Sequence, residues 1–109
     1  MGWTVQIEDE NGNAKKIMSE EFIISNGDII YDKPFRLLKY LDTYGDTTFN
    51  SFMFGDLTED LKDLKASLPS DIKQIDEVLE FVKECKDNIH TYLKFYGDWN
   101  IVFKQQDFL

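Results

Sequence analysis

Two apolar stripes at helical spacing, joined at Leu68-Pro69-Ser70, constrain this chain more than any other feature. Leu57, Leu61, Leu64 and Leu68 recur at intervals of four, three and four residues, which places them on one helical face. Ile72, Ile75, Leu79 and Val82 run down one side of the next segment, joined by Val78 and Cys85. Asp56 and Glu59 are spaced as a capping box, Pro69 stops the first stripe, and Ser70 is placed to cap the second. So short a connection predicts two antiparallel helices, near 56–68 and 70–88. Each has an apolar face that needs a cover. A further helix is expected near 33–44, with Asp32 as N-cap, Pro34 in its first turn and Gly45 as a left-handed C-cap. Leu37, Leu38 and Leu41 would form its buried stripe.

The cover comes from the two ends of the chain, which carry strand chemistry. Trp3, Val5 and Ile7 alternate with Thr4, Gln6 and Glu8, making one face apolar. Asn11-Gly12 predicts a hairpin with a return strand around 14–18. Asn26-Gly27-Asp28, between Phe22-Ile23-Ile24 and Ile29-Ile30-Tyr31, predicts a second. A third is expected at Gly97-Asp98, joining strands over 91–96 and 99–103. That register would set Tyr96 against Trp99 and Tyr92 against Phe103, with Leu93 and Phe95 on the other face. The expectation is one α+β domain over 1–109: an antiparallel sheet from N- and C-terminal hairpins, with about three helices packed on it.

Composition narrows the function classes. Aromatics reach 15% of the 109 residues, and each ring can bury a large apolar area, which argues against disorder. The single cysteine allows no internal disulfide and suits a reducing compartment. The opening Met-Gly-Trp-Thr-Val-Gln lacks a secretory pattern and no apolar run is long enough for a bilayer, so a soluble cytoplasmic protein is expected. The net charge of −9 is shared between both halves, and such a field repels nucleic acids and anionic membranes while attracting basic proteins.

Candidate chemistry centres on a repeated tripeptide, Tyr44-Gly45-Asp46 and Tyr96-Gly97-Asp98. The first reads as a helix end and the second as a hairpin tip, so the two are expected apart, with their aspartates serving local geometry. Were Asp42, Asp46 and Asp98 to meet, they would have the chemistry for a divalent cation or a shared proton. His90, the only histidine, cannot build a multi-histidine metal site and reads as a helix C-terminal cap. Cys85 continues an apolar stripe, as a buried thiol does. The run Thr47-Thr48-Phe49-Asn50-Ser51 reads as a connecting loop whose hydroxyls bond locally. No phosphate loop, nucleophile elbow or zinc spacing occurs, so no catalytic role and no cofactor are expected. The acidic helix faces are the stronger lead. Asp56, Glu59, Asp60 and Asp63 lie on neighbouring turns of one helix, and Asp76, Glu77, Glu80, Glu84 and Asp87 on the next.

Residues 37–50 and 90–98 carry a resemblance. They are similar to a family of small, uncharacterised bacterial proteins that share a Tyr-Gly-Asp-Thr-x-Phe-Asn block and a His-x-Tyr-Leu-x-Phe-x-Gly-Asp block. The likeness spans about 36–98 and implies a bacterial origin rather than an activity. Small acidic bacterial domains without catalytic motifs include immunity proteins, which occlude basic nuclease toxins. The leading expectation is therefore a non-enzymatic binding protein of that kind. Asp56, Glu59, Asp60 and Asp63 would supply its charge, and Tyr44, Tyr96 and Trp99 its aromatic anchors. The alternatives are a housekeeping interaction module or homodimer, and a small metal-dependent hydrolase using Asp42, Asp46 and Asp98 with His90.

Overall fold

The computed structural model describes residues 2–97. Strand β1 (Gly2–Asp9) runs centrally in an antiparallel sheet with β2 (Ala14–Ile17), β3 (Phe22–Ile23), β4 (Asp46–Phe49) and β5 (Thr91–Gly97). The order is β2-β1-β5-β4, and β3 also pairs with β1, beyond β2 along the same side. Helices α1 (Ile29–Asp32), α2 (Phe54–Ser67) and α3 (Ile72–Asp87) complete an α+β fold. Alternation in β1 and β5 puts Trp3, Val5, Ile7, Leu93 and Phe95 into the core, under the stripes of α2 and α3. The rings form a chain through it: Phe22 lies 6.1 Å from Phe95, which stands edge-on to Phe49 at 5.7 Å.

The β1–β2 hairpin forms where Asn11-Gly12 predicts it, through a three-residue loop rather than a two-residue one. Gly12 alone takes the left-handed conformation (φ +83°), and Asp9 N–H donates to Asn13 O at 2.9 Å. The second predicted hairpin does not form. After Asn26-Gly27-Asp28 the chain turns into α1, with Tyr31 N–H donating to Asp28 O at 3.0 Å. Ile30 is buried by that turn, and the Tyr31 hydroxyl reaches Leu41 O at 2.8 Å.

The helix expected near 33–44 is likewise replaced. Pro34 ends α1 instead of starting a helix, because its ring forces Lys33 into extended backbone (ψ 155°). Only a 3-10 turn, Leu38–Tyr40, follows. Leu38 and Leu41 still reach the core, but from irregular chain. Thr47–Phe49, expected as loop, belong to β4 and pair with Phe95–Leu93 of β5.

Gly45 therefore caps no helix and is not left-handed. It lies beside the other tripeptide: Gly97 N–H donates to Gly45 O at 2.9 Å, so the two Tyr-Gly segments expected apart are neighbours. A Cβ on Gly97 would stand 2.3 Å from Thr43 O, so only glycine lets that backbone cross the end of β5. The turn at Gly97-Asp98, its return strand over 99–103 and the pairings of Trp99 and Phe103 lie outside the described residues.

Gly97→Ala is expected to lower stability by about 1–3 kcal/mol, since backbone must move to admit the methyl. Gly55→Ala, where the new Cβ meets nothing within 4 Å, should leave it unchanged or raise it by up to about 1 kcal/mol. Urea unfolding of the two variants checks the contrast.

Candidate protein-binding surface

The acids of α2 do not form one exposed patch. Asp60 is 4% exposed and turned inward, its Oδ2 accepting Leu37 N–H at 2.7 Å and Leu38 N–H at 3.1 Å. Its Oδ1 takes Arg36 N–H at 3.2 Å. Asp60 thus holds the irregular segment that replaces the expected helix, which corrects its assignment to a partner surface. Asp56 caps nothing, and its Oδ1 lies 2.7 Å from Arg36 Nη1. Glu59 faces Lys62 at 3.8 Å. Asp63 remains exposed and forms no ion pair among the described residues.

Of the expected aromatic anchors, Tyr44 is 67% exposed. Tyr96 is instead bound to the outer sheet face, donating its hydroxyl to the buried carboxylate of Glu8. Burial, and then the bond to and charge of Glu8, hold the phenol well above its ordinary range. Lys94 spans this cluster, 4.0 Å from Glu8 and 3.9 Å from Asp46, with its ammonium 4.8 Å from the Tyr96 ring centre. Trp99 and Asp98 lie outside the described residues. Two further exposed rings carry no helical or strand periodicity that would flag them. Phe52 (94% exposed) follows β4, and Tyr40 lies beside it, its carbonyl accepting from Thr47 Oγ1 at 3.2 Å.

The hydrolase constellation is not assembled by the described residues. Asp42 Oδ1 caps its own turn through Tyr44 N–H at 2.9 Å. His90 precedes β5, about 20 Å along the strand from Tyr96, the residue opposite Asp46. Among the described residues no three His, Cys, Asp or Glu side chains are disposed to hold a metal ion. Cys85 is buried, which pushes its thiol up, and no hydrogen bond joins it to His90 among the described residues. His90 does not cap α3 either. Asn88 Nδ2 donates to Glu84 O at 2.8 Å and Thr91 Oγ1 to Cys85 O at 3.2 Å, while His90 takes a left-handed turn (φ +66°) into β5.

What α3 presents outward is more continuous. Glu77, Glu80, Glu84 and Asp87 follow one another at three, four and three residues, opposite the stripe of Ile75, Val78, Phe81, Val82 and Cys85. Glu77 is half-buried and the others exposed. At the lower end of this row Lys16 of β2 lies 3.5 Å from Glu84. A cleft of about 460 Å³ opens there between the β1–β2 loop and the α3–β5 turn.

No family model, curated protein or solved structure matches the chain. No helix among the described residues is long and apolar enough to cross a membrane.

Two measurements test this geometry. Asp60→Ala strands a buried N–H and should cost about 2–4 kcal/mol, whereas Asp63→Ala should stay within about 0.5 kcal/mol of the parent in urea unfolding. At the cleft, the Asp9 carboxylate is held below its usual value of 3.8, first by accepting Asn13 N–H and also by Asn11 N–H. A lowered carboxylate stabilises the fold fully above its unfolded value and loses that contribution as pH falls through the lower folded value. The Tm gap between the parent and Asp9→Ala should therefore be constant from neutral pH down to about pH 5 and close progressively below about pH 4.

Proposed function

We propose that this chain is a non-enzymatic, acidic protein-binding domain that docks a basic protein, as an immunity-type inhibitor occludes a bacterial toxin domain in the cytoplasm. The observation that carries this reading is the outward row of Glu77, Glu80, Glu84 and Asp87 on α3. Four carboxylates along one helical face concentrate the field of a chain whose net charge is −9. Such a field steers a basic partner and sets its orientation. The same field disfavours nucleic acid, whose phosphates it repels. The two bacterial sequence blocks agree with the reading but contribute no contact of their own.

A second reading, a homodimer or housekeeping module, is favoured by one other observation. Strand β4, the last in the order of the described strands, is bordered by the exposed rings of Tyr40, Tyr44 and Phe52. In that case sedimentation would give a dimer indifferent to changes on α3.

The immobilised chain is expected to capture a basic protein from its own cells and release it as salt rises toward about 0.5 M, where the screening length approaches a few ångströms. Glu77→Lys, Glu80→Lys and Asp87→Lys combined should weaken that capture at least about tenfold, with the far-UV circular dichroism unchanged. Coexpression should protect cells from the captured domain. Undiminished capture by the triple variant, or a captured protein without basic character, would sink the proposal.

A further inference from the structure

The cleft at the lower end of α3 has a chemistry distinct from the row above it. One wall is the β1–β2 loop with Glu10, and the other is the end of α3 with Glu84, Asn88 and His90. Ile7 contributes to its floor, and Ile89 stands at its mouth, 85% exposed. The groups already engaged leave a defined remainder. Asp9 is occupied by the loop's own N–H groups, while Asn88 Nδ2 and Thr91 Oγ1 donate to the last carbonyls of α3. Lys16 lies 3.5 Å from Oε2 of Glu84 with its ammonium 5.2 Å from the Phe81 ring centre. His90 Nδ1 lies 3.5 Å from Oε2 of Glu10. Among the described residues neither the Glu84 nor the Glu10 carboxylate accepts a hydrogen bond, so each keeps acceptor capacity beside its one ion pair.

Three features then point the same way. The open acceptors are carboxylate oxygens, the C-terminus of a 16-residue helix adds its negative end, and Ile89 lies exposed at the approach. An anion is disfavoured by the first two, and a purely apolar ligand would strand them. A volume of about 460 Å³ lies in the lower part of the range for small-ligand sites, enough for one long side chain. We infer that the cleft receives an arginine or lysine side chain of the docked basic protein, its stem along Ile7 and Ile89 and its cation between Glu10 and Glu84. This inference rests on the docking reading and deepens it, since the row on α3 would steer the partner and the cleft would fix its register. Lys15 sits at the cleft as a competing charge. Lys16, already beside Glu84, is another, and a planar guanidinium competes with them better than a compact ammonium because it bonds a carboxylate in bidentate fashion.

The probe is N-acetyl-arginine-N-methylamide, titrated into the ¹⁵N-labelled full chain. A saturable millimolar response is expected at Glu10, Glu84, Asn88, His90 and Thr91, and none with the norleucine counterpart. Glu10→Gln and Glu84→Gln should each weaken it about threefold and together about tenfold, while Glu80→Gln leaves it unchanged. No saturable response, or one untouched by the double variant, overturns the cleft assignment. If the α3 charge reversals still abolish capture of a basic protein, the docking reading survives that result. Spermidine binding the cleft at least tenfold more tightly than the arginine derivative would assign it to a free polyamine and overturn the side-chain assignment.

Discussion

The carboxylate of Asp60 is the interaction on which the described fold most depends. Residues 33–41 form no continuous helix, so their N–H groups have no ladder to enter, and a buried N–H without an acceptor costs as much as a lost hydrogen bond. Asp60 supplies acceptors to Arg36, Leu37 and Leu38 at once. The same device recurs across the connection from α2 to α3. Asp71, also buried, accepts Ser25 N–H at 3.0 Å and the Ser25 hydroxyl at 2.8 Å, and Gln74 accepts Ile23 N–H at 2.7 Å. The helical hairpin thus works as a frame whose polar side chains hold the segment between β3 and β4.

That framed segment in turn closes the sheet. Trp3 Nε1 donates to Asp42 O at 2.9 Å, and the Thr43 backbone passes over Gly97. Both contacts pull residues 42–45 against the ends of β1 and β5, so the chain enters β4 already aligned with β5. The nearness of the two Tyr-Gly segments follows from this alignment. It juxtaposes backbone, through Gly97 N–H and Gly45 O, and binds Asp46 into the Lys94 cluster. Tyr44-Gly45 and Tyr96-Gly97 thus take part in closing the sheet.

Local patterns revealed the parts of the fold that local physics controls. The leucine stripe of α2, the apolar side of α3 apart from the exposed Ile72, the alternation in β1 and β5 and the Asn11-Gly12 turn appear where periodicity and turn chemistry predict them. The misses share a cause. Asp56 and Asp60 carry the spacing of a cap and of a solvated face, yet their carboxylates are taken by Arg36 and by residues 36–38, partners far away in sequence. Pro34 is equally compatible with starting a helix and ending one, and here it ends the short turn that buries Ile30. For the candidate surface, the acidic character of α3 was legible from spacing. The cleft was not, because it joins Glu10 to Glu84 and His90 across most of the chain.

Net charge alone therefore overstates what a partner meets. Of the four acids expected on α2, one is internal and two have basic neighbours within 4 Å. Exposed pairs of that kind add little stability, but they do cancel field at the surface. The row on α3 differs because its four carboxylates share one outward face and only Glu84 faces a lysine in an ion pair among the described residues. Lys83, Lys86 and Lys73 lie on the same helix and moderate the total, yet the sign along the ridge stays negative. Association driven by such a ridge should be long-ranged in approach and salt-sensitive in rate. Residence of the proposed partner would then come from desolvated contacts, and at the foot of the ridge the structure offers a concave, partly apolar place for them.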